Sequence, residues 1–153
     1  MKTNTLKFVI ACAIAGAFQI TSPVLALAQA PDKALATAAK EPGAKVTPSG
    51  LVILMVKEGN GTQPTASSTV RVHYRGMFPD GREFDSSYSR GEPIEFPLTG
   101  VIKCWTEGVA LMKVGGAAKL TCPSSIAYGA RGSGGAIPPN ATLVFEVALL
   151  GVR

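Results

Sequence analysis

Residues 101–112, Val-Ile-Lys-Cys-Trp-Thr-Glu-Gly-Val-Ala-Leu-Met, carry the clearest periodic pattern in the sequence. Apolar residues recur there at intervals of three and four and therefore share one helical face, formed by Ile102, Trp105, Val109 and Met112. Two glycines, Gly115 and Gly116, end the pattern. We predict one helix over this stretch, and no other segment after residue 28 has a comparable pattern.

Segments on both sides of this helix have the patterns of β-strands. Apolar or alternating runs bounded by turn residues predict strands at residues 51–56, 70–74, 91–98, 118–122 and 142–152. The dipeptide Asp80-Gly81 favours a tight turn, so the residues on either side of it should pair as a hairpin. Several strands with a single helix predict the α+β class, with an antiparallel sheet wrapped over one short helix.

The first 28 residues have the composition of a cleavable export signal. Lys2 and Lys7 are followed by an uncharged apolar or small-residue run, Phe8–Phe18, and then by small residues. Cleavage after Ala28 is preferred, and cleavage after Ala30 is the alternative. We therefore expect a periplasmic or secreted protein with no stable membrane insertion once the signal is removed.

The remaining chain divides into a leader and a folded domain. Residues 29–46 are rich in Ala, Lys, Pro and Gly, which predicts a flexible leader with at most a frayed helical turn near residues 33–40. The folded domain is predicted over residues 47–153. The chain has 15 Lys and Arg against 10 Asp and Glu, without a block of like charges, so we expect no nucleic-acid partner.

Two cysteines remain after the predicted signal is removed. Cys12 leaves with the signal, and Cys104 and Cys122 form an even pair in an oxidising compartment. A disulfide between them is the preferred prediction. Two buried, unreactive thiols are the alternative, because the sequence does not give the distance between the sulfurs.

The sequence lacks the usual residues of nucleophilic or metal catalysis. His73 is its only histidine, so we predict no metal site. We interpret His73 as an exposed residue of a strand. The glycine-rich residues 129–135 lack the Lys-Ser/Thr ending of a phosphate-binding loop, and no cofactor is predicted. Eight aromatic residues follow residue 28, and they form either a ligand pocket or simply the core of a small domain.

Five blocks of sequence, in this order, resemble the FKBP family of peptidyl-prolyl cis-trans isomerases. They are Val70-Arg-Val-His-Tyr-Arg-Gly76, Asp80-Gly-Arg-Glu-Phe-Asp-Ser-Ser87, Val101-Ile102 with Trp105 and Glu107-Gly108, Ala127-Tyr-Gly129, and Ile137-Pro-Pro-Asn-Ala-Thr-Leu-Val-Phe145. The resemblance extends from about Thr47 to Arg153. It implies a curled antiparallel sheet around one short α-helix and an isomerase that assists the folding of exported proteins.

The resemblance also implies a pocket between helix and sheet, with Trp105 as its floor. The catalytic residues would be Asp85, Tyr128, Phe84 and Phe145. Substrate would also contact Tyr74, Phe96, Val101, Ile102, Trp105 and Ile137. In this scheme the Tyr128 hydroxyl and the Ile102 N–H bind substrate carbonyls, and Asp85 acts electrostatically beside the twisting amide.

The implied partners are proline-containing unfolded chains or peptides, and macrolides of the rapamycin and tacrolimus type. Ile94 stands where many members have an aromatic residue, and Cys104 stands where glycine is usual. The 18 residues of the leader are too short for the long helical dimerisation domain of related proteins, so a monomer is expected. The alternative function is a non-catalytic periplasmic chaperone or peptide-binding module on the same fold.

Overall fold

The computed structural model describes residues 32–153, so the predicted signal over residues 1–28 lies outside the described residues. One antiparallel sheet of seven strands dominates it, in the order β1-β2-β6-β7-β3-β4, with β5 also pairing with β3. The strands are β1 Lys45–Val46, β2 Val52–Lys57, β3 Thr69–Met77, β4 Glu83–Ser86, β5 Ile94–Pro97, β6 Ala117–Cys122 and β7 Leu143–Val152. This arrangement confirms the predicted fold class.

Three short α-helices accompany the sheet: α1 Lys33–Ala39, α2 Ser87–Arg90 and α3 Lys103–Ala110. Single 3₁₀ turns occupy Leu98–Gly100 and Ser124–Ile126. In residues 32–153, no helix has the length and apolar character needed to cross a membrane.

Helix α3 is shorter than the predicted residues 101–112. Ile102 is its N-cap, with ψ of 149°, and so ends the extended segment that precedes the helix. At the other end the N–H of Met112 donates to the Val109 carbonyl, an i→i+3 bond that closes the last turn. Trp105 and Val109 are buried as the periodicity predicts, and Met112 is buried just beyond the helix.

The inner face of the sheet packs on α3 and forms the core. Along β3 and β7 buried residues alternate with more exposed ones, as expected for strands with one covered face. Gly108 lets the helix approach closely, because a Cβ there would lie 2.9 Å from both methyl carbons of Leu120. The core thus fixes α3 across the strands that pair at the centre of the sheet.

Residues 32–46, the described part of the leader predicted over residues 29–46, contain a helix and a strand. Helix α1 begins after Asp32, whose carboxylate accepts a hydrogen bond from the Ala34 N–H, and Ala38 is buried against the outer side of the sheet. Strand β1 then pairs with β2. Alanine-rich segments favour helix. Composition alone did not predict that this helix packs on the sheet, because the packing depends on one cap, at Asp32, and one buried methyl group, that of Ala38.

Polar contacts also fasten this segment to the sheet. Lys119 Nζ lies 2.5 Å from Oε1 of Glu41, and the Thr142 hydroxyl donates to the carboxylate of Asp32. The segment therefore covers part of the outer face of the sheet, on the side opposite α3.

Candidate active site

A pocket of about 640 Å³ lies between α3 and the inner face of the sheet. Nine of the ten predicted site residues line it: Tyr74, Phe84, Asp85, Phe96, Val101, Ile102, Trp105, Tyr128 and Phe145. Ile137 is not among them; it packs in the core at the base of a loop, where it bridges to Ser133. The sequence pattern thus identified residues that four strands, a helix and two loops bring together.

Trp105 forms the floor of this pocket and is only 4% exposed. Three aromatic rings meet it edge to face, with centroid distances of 5.2 Å to Tyr74, 5.5 Å to Phe96 and 5.6 Å to Phe145. Phe84 extends the cluster, 5.7 Å from Phe145. Edge-to-face contacts of this kind add to the energy of simple burial, so each ring is held in a fixed orientation.

A glycine makes room for one side of this aromatic cluster. Gly76 lies on β3, and a Cβ there would come within 2.8 Å of two ring carbons of Phe84 and 3.1 Å of the Phe145 ring. The register pairs Gly76 with Phe145 on β7 and with Asp85 on β4. The position of Phe84 therefore depends on the absence of a side chain at residue 76.

The polar edge of the pocket is a triad of Asp85, Tyr74 and Arg90. The Tyr74 hydroxyl donates to Oδ2 of Asp85, and the Arg90 guanidinium donates to Oδ1 of Asp85 at 2.6 Å and to the Tyr74 oxygen at 2.9 Å. The Arg90 guanidinium carbon also lies 5.6 Å from the centroid of the Tyr74 ring. Both carboxylate oxygens consequently have a donor within the triad.

These contacts set the protonation states. Burial opposes ionisation of Asp85, but the hydrogen bonds from Tyr74 and Arg90 outweigh it and lower the pKa of the carboxyl. Burial, followed by the adjacent carboxylate of Asp85, raises the pKa of the Tyr74 hydroxyl. Burial, and then the charge of Asp85, also raises the pKa of Tyr128. At neutral pH the site thus holds an ionised carboxylate and two neutral phenols.

Helix α2 places Arg90 in this triad. The Ser86 hydroxyl caps its first turn, and Gly91 ends it with a φ of 77°, which favours glycine. Ser87 is fully buried, and its hydroxyl accepts a hydrogen bond from the Tyr74 N–H at 2.8 Å. The start of α2 is therefore hydrogen-bonded to the backbone of Tyr74. One helical turn later, Arg90 reaches the hydroxyl of the same tyrosine.

Sequence reasoning missed Arg90 and Gly100, which line the pocket with Ile94. The sequence did contain a signal for Arg90. Ser86, a good N-cap, and Gly91, a good C-cap, delimit a four-residue helix that starts two residues after Asp85 and ends at Arg90. His73 is partly buried rather than an exposed strand residue, since its Nδ1 lies 2.9 Å from the Ser87 hydroxyl and its ring stacks on Tyr88 at 4.6 Å.

Two of the hydrogen-bond donors on residues that line the pocket, the Tyr128 hydroxyl and the Ile102 N–H, have no protein acceptor within residues 32–153. Tyr128 is 37% exposed, and Ile102 precedes the first turn of α3. The pocket therefore combines aromatic walls with two donors available to a ligand and one fixed negative charge. Such a combination suits a peptide segment with an apolar ring and backbone carbonyls.

A disulfide joins Cys104 and Cys122, which confirms the predicted bond. Their Cα atoms are 5.9 Å apart, and both residues are fully buried. The bond links the first turn of α3 to the end of β6. Ile102 lies just before this turn, and the segment that leads to Tyr128 follows the end of β6. The disulfide therefore joins α3, which directly follows Ile102, to the strand that ends six residues before Tyr128.

A second cavity, of about 860 Å³, is larger than the pocket but lies on the outer face of the sheet. It runs between α1 and the β3–β4 turn. Four of its charged side chains pair with one another, Lys119 with Glu41 and Arg82 with Asp80. Because no aromatic cluster converges on it, we assign the candidate site to the smaller pocket.

Comparisons with known proteins agree with this assignment. Residues 60–150 match the family model of FKBP-type peptidyl-prolyl cis-trans isomerases. The chain is 53% identical over 115 residues to the FKBP-type peptidyl-prolyl cis-trans isomerase FkpA of Escherichia coli K12, a match that covers 75% of this chain and 42% of FkpA. It is 54% identical over 103 residues to FK506-binding protein 1 of Dictyostelium discoideum, covering 66% of this chain and 96% of that protein.

The solved structures give the same result. The crystal structure of FkpA from Escherichia coli superposes with a TM-score of 0.77 at 50% identity, and the match covers 79% of this chain and 56% of that one. The chain thus spans about half the length of the FkpA proteins it matches. On the sequence match across the pocket and the shared sheet, this chain belongs to the FKBP-type peptidyl-prolyl cis-trans isomerase family.

Proposed function

We propose that this chain catalyses the cis-trans isomerisation of Xaa-Pro bonds in unfolded or flexible polypeptides. The observation that carries the proposal is the aromatic pocket around Trp105, which has an ionised Asp85 at its edge and available donors at Tyr128 and Ile102. Family membership supports the same reaction.

The reaction requires rotation about a peptide bond, against a barrier of about 18–20 kcal/mol set by amide resonance. No covalent bond forms or breaks. The planar amide is the more polar form, so an apolar pocket that excludes water favours the twisted state over the planar one. The edge-to-face rings around Trp105 supply such a surface, and their fixed orientation means that they need not rearrange during the rotation.

The polar groups of the pocket bind the substrate backbone and supply a fixed charge. We assign the Tyr128 hydroxyl and the Ile102 N–H to the substrate carbonyls on either side of the proline, so that the chain is held bent. Phe84 and Phe145 enclose the proline ring, together with Tyr74, Phe96 and Val101. Asp85 acts through its fixed charge and not as an acid, since both of its oxygens accept hydrogen bonds and its lowered pKa keeps it ionised.

The proposed ligands are proline-containing segments, for which the pocket offers an apolar floor and two donors. Macrolides of the rapamycin and tacrolimus type are proposed to compete for the same surface, in line with the name of the Dictyostelium relative, an FK506-binding protein. We further propose that a monomer suffices for activity, since one chain supplies the floor, the walls and the charged edge of the pocket.

We also propose that the protein works in the periplasm or outside the cell. The composition of residues 1–28 supports export. The disulfide between Cys104 and Cys122 supports it independently, because such bonds persist in oxidising compartments. Uncatalysed isomerisation takes tens to hundreds of seconds, so newly exported chains with proline bonds are suitable substrates.

The test is the isomerisation rate of a short Xaa-Pro peptide, measured with the wild-type protein, with rapamycin added, and with Asp85→Ala. Asp80→Ala is the matched control, because Asp80 pairs with Arg82 on an exposed turn outside the pocket. We expect acceleration that rapamycin blocks, that Asp85→Ala reduces and that Asp80→Ala retains. Peptide binding without acceleration would reject catalysis and leave the non-catalytic binding module.

A further inference from the structure

One wall of the pocket is a loop of five residues, Leu98–Ile102, which we call the wall loop. It joins β5 to α3, and Gly100, Val101 and Ile102 face the pocket. Leu98 is fully buried, and its N–H donates to the Ser68 carbonyl at 2.9 Å. The wall loop therefore starts from a fixed point in the core and ends at the N-cap of α3.

A single residue, Thr106 on α3, binds both ends of the wall loop. Its hydroxyl lies 2.6 Å from the carbonyl oxygen of Leu98, where the loop begins. Its backbone N–H donates to the carbonyl of Ile102, where the loop ends, at 3.2 Å. Thr106 thus fixes the separation of the two carbonyls that bound the loop.

The direction of the Thr106 hydroxyl is unusual for a threonine inside a helix. Such a hydroxyl commonly bonds the carbonyl four residues earlier in its own helix. Here that carbonyl, on Ile102, is 3.4 Å away, whereas the carbonyl of Leu98 is 2.6 Å away. Since a hydroxyl has one proton, the bond goes to the loop and not to the helix. Threonine is also a poor helix former, so its helix propensity does not account for this choice.

Within residues 32–153, the hydroxyl of Thr106 is the one side-chain donor to the Leu98 carbonyl, which belongs to the 3₁₀ turn Leu98–Gly100. Leu98 itself is fully buried. Removing the hydroxyl takes away a short hydrogen bond at this buried carbonyl, which is unfavourable, and frees the loop to shift. Such a shift would move Val101 and the N–H of Ile102 away from the proline-containing segment of the substrate.

We propose that Thr106 is a positioning residue of the proposed isomerase, whose hydroxyl holds the wall loop so that the Ile102 N–H points at a substrate carbonyl. Thr106 does not line the pocket, and it acts through Leu98 and Ile102. The inference rests on the proposed function for its effect on rate. Its structural part, the anchoring of the wall loop, is independent of that function.

The experiment compares Thr106→Val with Thr106→Ser in the full chain. Valine keeps the shape of the side chain and removes the donor, whereas serine keeps the donor. We expect Thr106→Val to lower kcat/KM for an Xaa-Pro peptide by about tenfold, the factor that one intramolecular hydrogen bond of ordinary strength supplies. The loss should lie mainly in KM, because a binding contact is displaced, and Thr106→Ser should restore it to within about twofold.

Amide hydrogen exchange gives the readout that does not depend on activity. In Thr106→Val, exchange should accelerate at residues 99–102 and stay unchanged at the centre of β3 and β7, which shows that the domain is folded. Thr106→Ala serves as the second donor-free variant if valine disturbs the packing of α3.

Unchanged exchange in the wall loop of both donor-free variants would overturn the proposal, as would an equal loss of kcat/KM in Thr106→Val and Thr106→Ser. Absence of isomerisation by the wild-type protein would reject the proposed function instead. In that event the exchange data and the Kd of the same peptide for each variant still decide whether Thr106 anchors the loop.

Discussion

Nη1 of Arg90 lies 2.6 Å from Oδ1 of Asp85, and no other cationic side chain of the described chain pairs with this carboxylate. The ion pair joins α2 to β4 at the edge of the pocket. Both side chains keep more than two fifths of their surface exposed, so solvent weakens the pair, and its main effect is on the protonation and orientation of Asp85.

Replacement of Arg90 is expected to shift the titration of Asp85. Arg90→Gln removes a cation and weakens a hydrogen bond that lowers the pKa of the carboxyl, so this pKa should rise. Catalysis that needs ionised Asp85 should then be lost at a higher pH on acidification than in the wild type. NMR titration of the Asp85 carboxyl carbon and the acid limb of the pH-rate profile measure the two effects.

Arg82→Gln is the control for that titration. Arg82 pairs with Asp80 and not with Asp85, so the Asp85 carboxyl should titrate as in the wild type. A pKa of Asp85 that is the same with and without Arg90 would contradict the role assigned to the ion pair.

Adding one methyl group at Gly76 is expected to damage the pocket. Gly76→Ala places a Cβ 2.6 Å from the nearest carbon of the Phe84 ring, so the ring must move. Overpacking of this kind costs about 1–3 kcal/mol of the free energy of unfolding. Isomerase activity should fall further than stability alone explains, since Phe84 lines the pocket.

Gly151→Ala provides the matched change outside the pocket. Its Cβ would meet nothing closer than 3.8 Å, and its backbone is not in the left-handed region. Urea unfolding and peptide turnover of the two variants separate the effects. Equal activity of Gly76→Ala and Gly151→Ala would show that the position of Phe84 does not matter for the reaction.

The disulfide is expected to stabilise the domain substantially. Cys104 and Cys122 are 18 residues apart, and closing such a loop restricts the unfolded chain by about 3 kcal/mol. The double variant Cys104→Ala/Cys122→Ala should lose an amount of this order in urea unfolding. Thiol titration of the unfolded wild type, without reductant, is the control for oxidation. A double variant as stable as the oxidised wild type would refute the expectation.

Helix α1 is expected to affect stability but not catalysis. Ala38→Glu puts a carboxylate at a buried position against the sheet, which should detach the helix and remove its protection from hydrogen exchange. Ala39→Glu changes the neighbouring exposed residue and should leave α1 docked. Peptide turnover should stay unchanged in both, since α1 does not reach the pocket. Reduced turnover in Ala38→Glu alone would indicate coupling between the two faces of the sheet.

The sequence predicted the sheet and the central helix because their signals are strong and local. Alternation along β7 and the spacing of Trp105, Val109 and Met112 follow directly from which side faces the core. The family motifs then identified the pocket residues, and the structure brings nine of them together.

The differences between these expectations and the structure have physical reasons. Ile137 was assigned to the pocket by its motif, but motif position does not tell whether a side chain faces a cavity or the core. Arg90 was missed because its contact with Asp85 depends on a four-residue helix, too short for a periodic pattern. The docking of residues 32–46 was missed because it rests on a cap, one buried methyl group and two polar contacts to distant strands.

The four rings at the base of the pocket belong to β3, β5, α3 and β7, and β7 lies at the centre of the sheet although it is synthesised after all the other strands. A nascent chain that lacks β7 has no Phe145 and no partner for the central edge of β3 or β6. The pocket is therefore incomplete until β7 is inserted between β3 and β6, so the growing chain has no finished site for proline segments, its own included, before this strand is made.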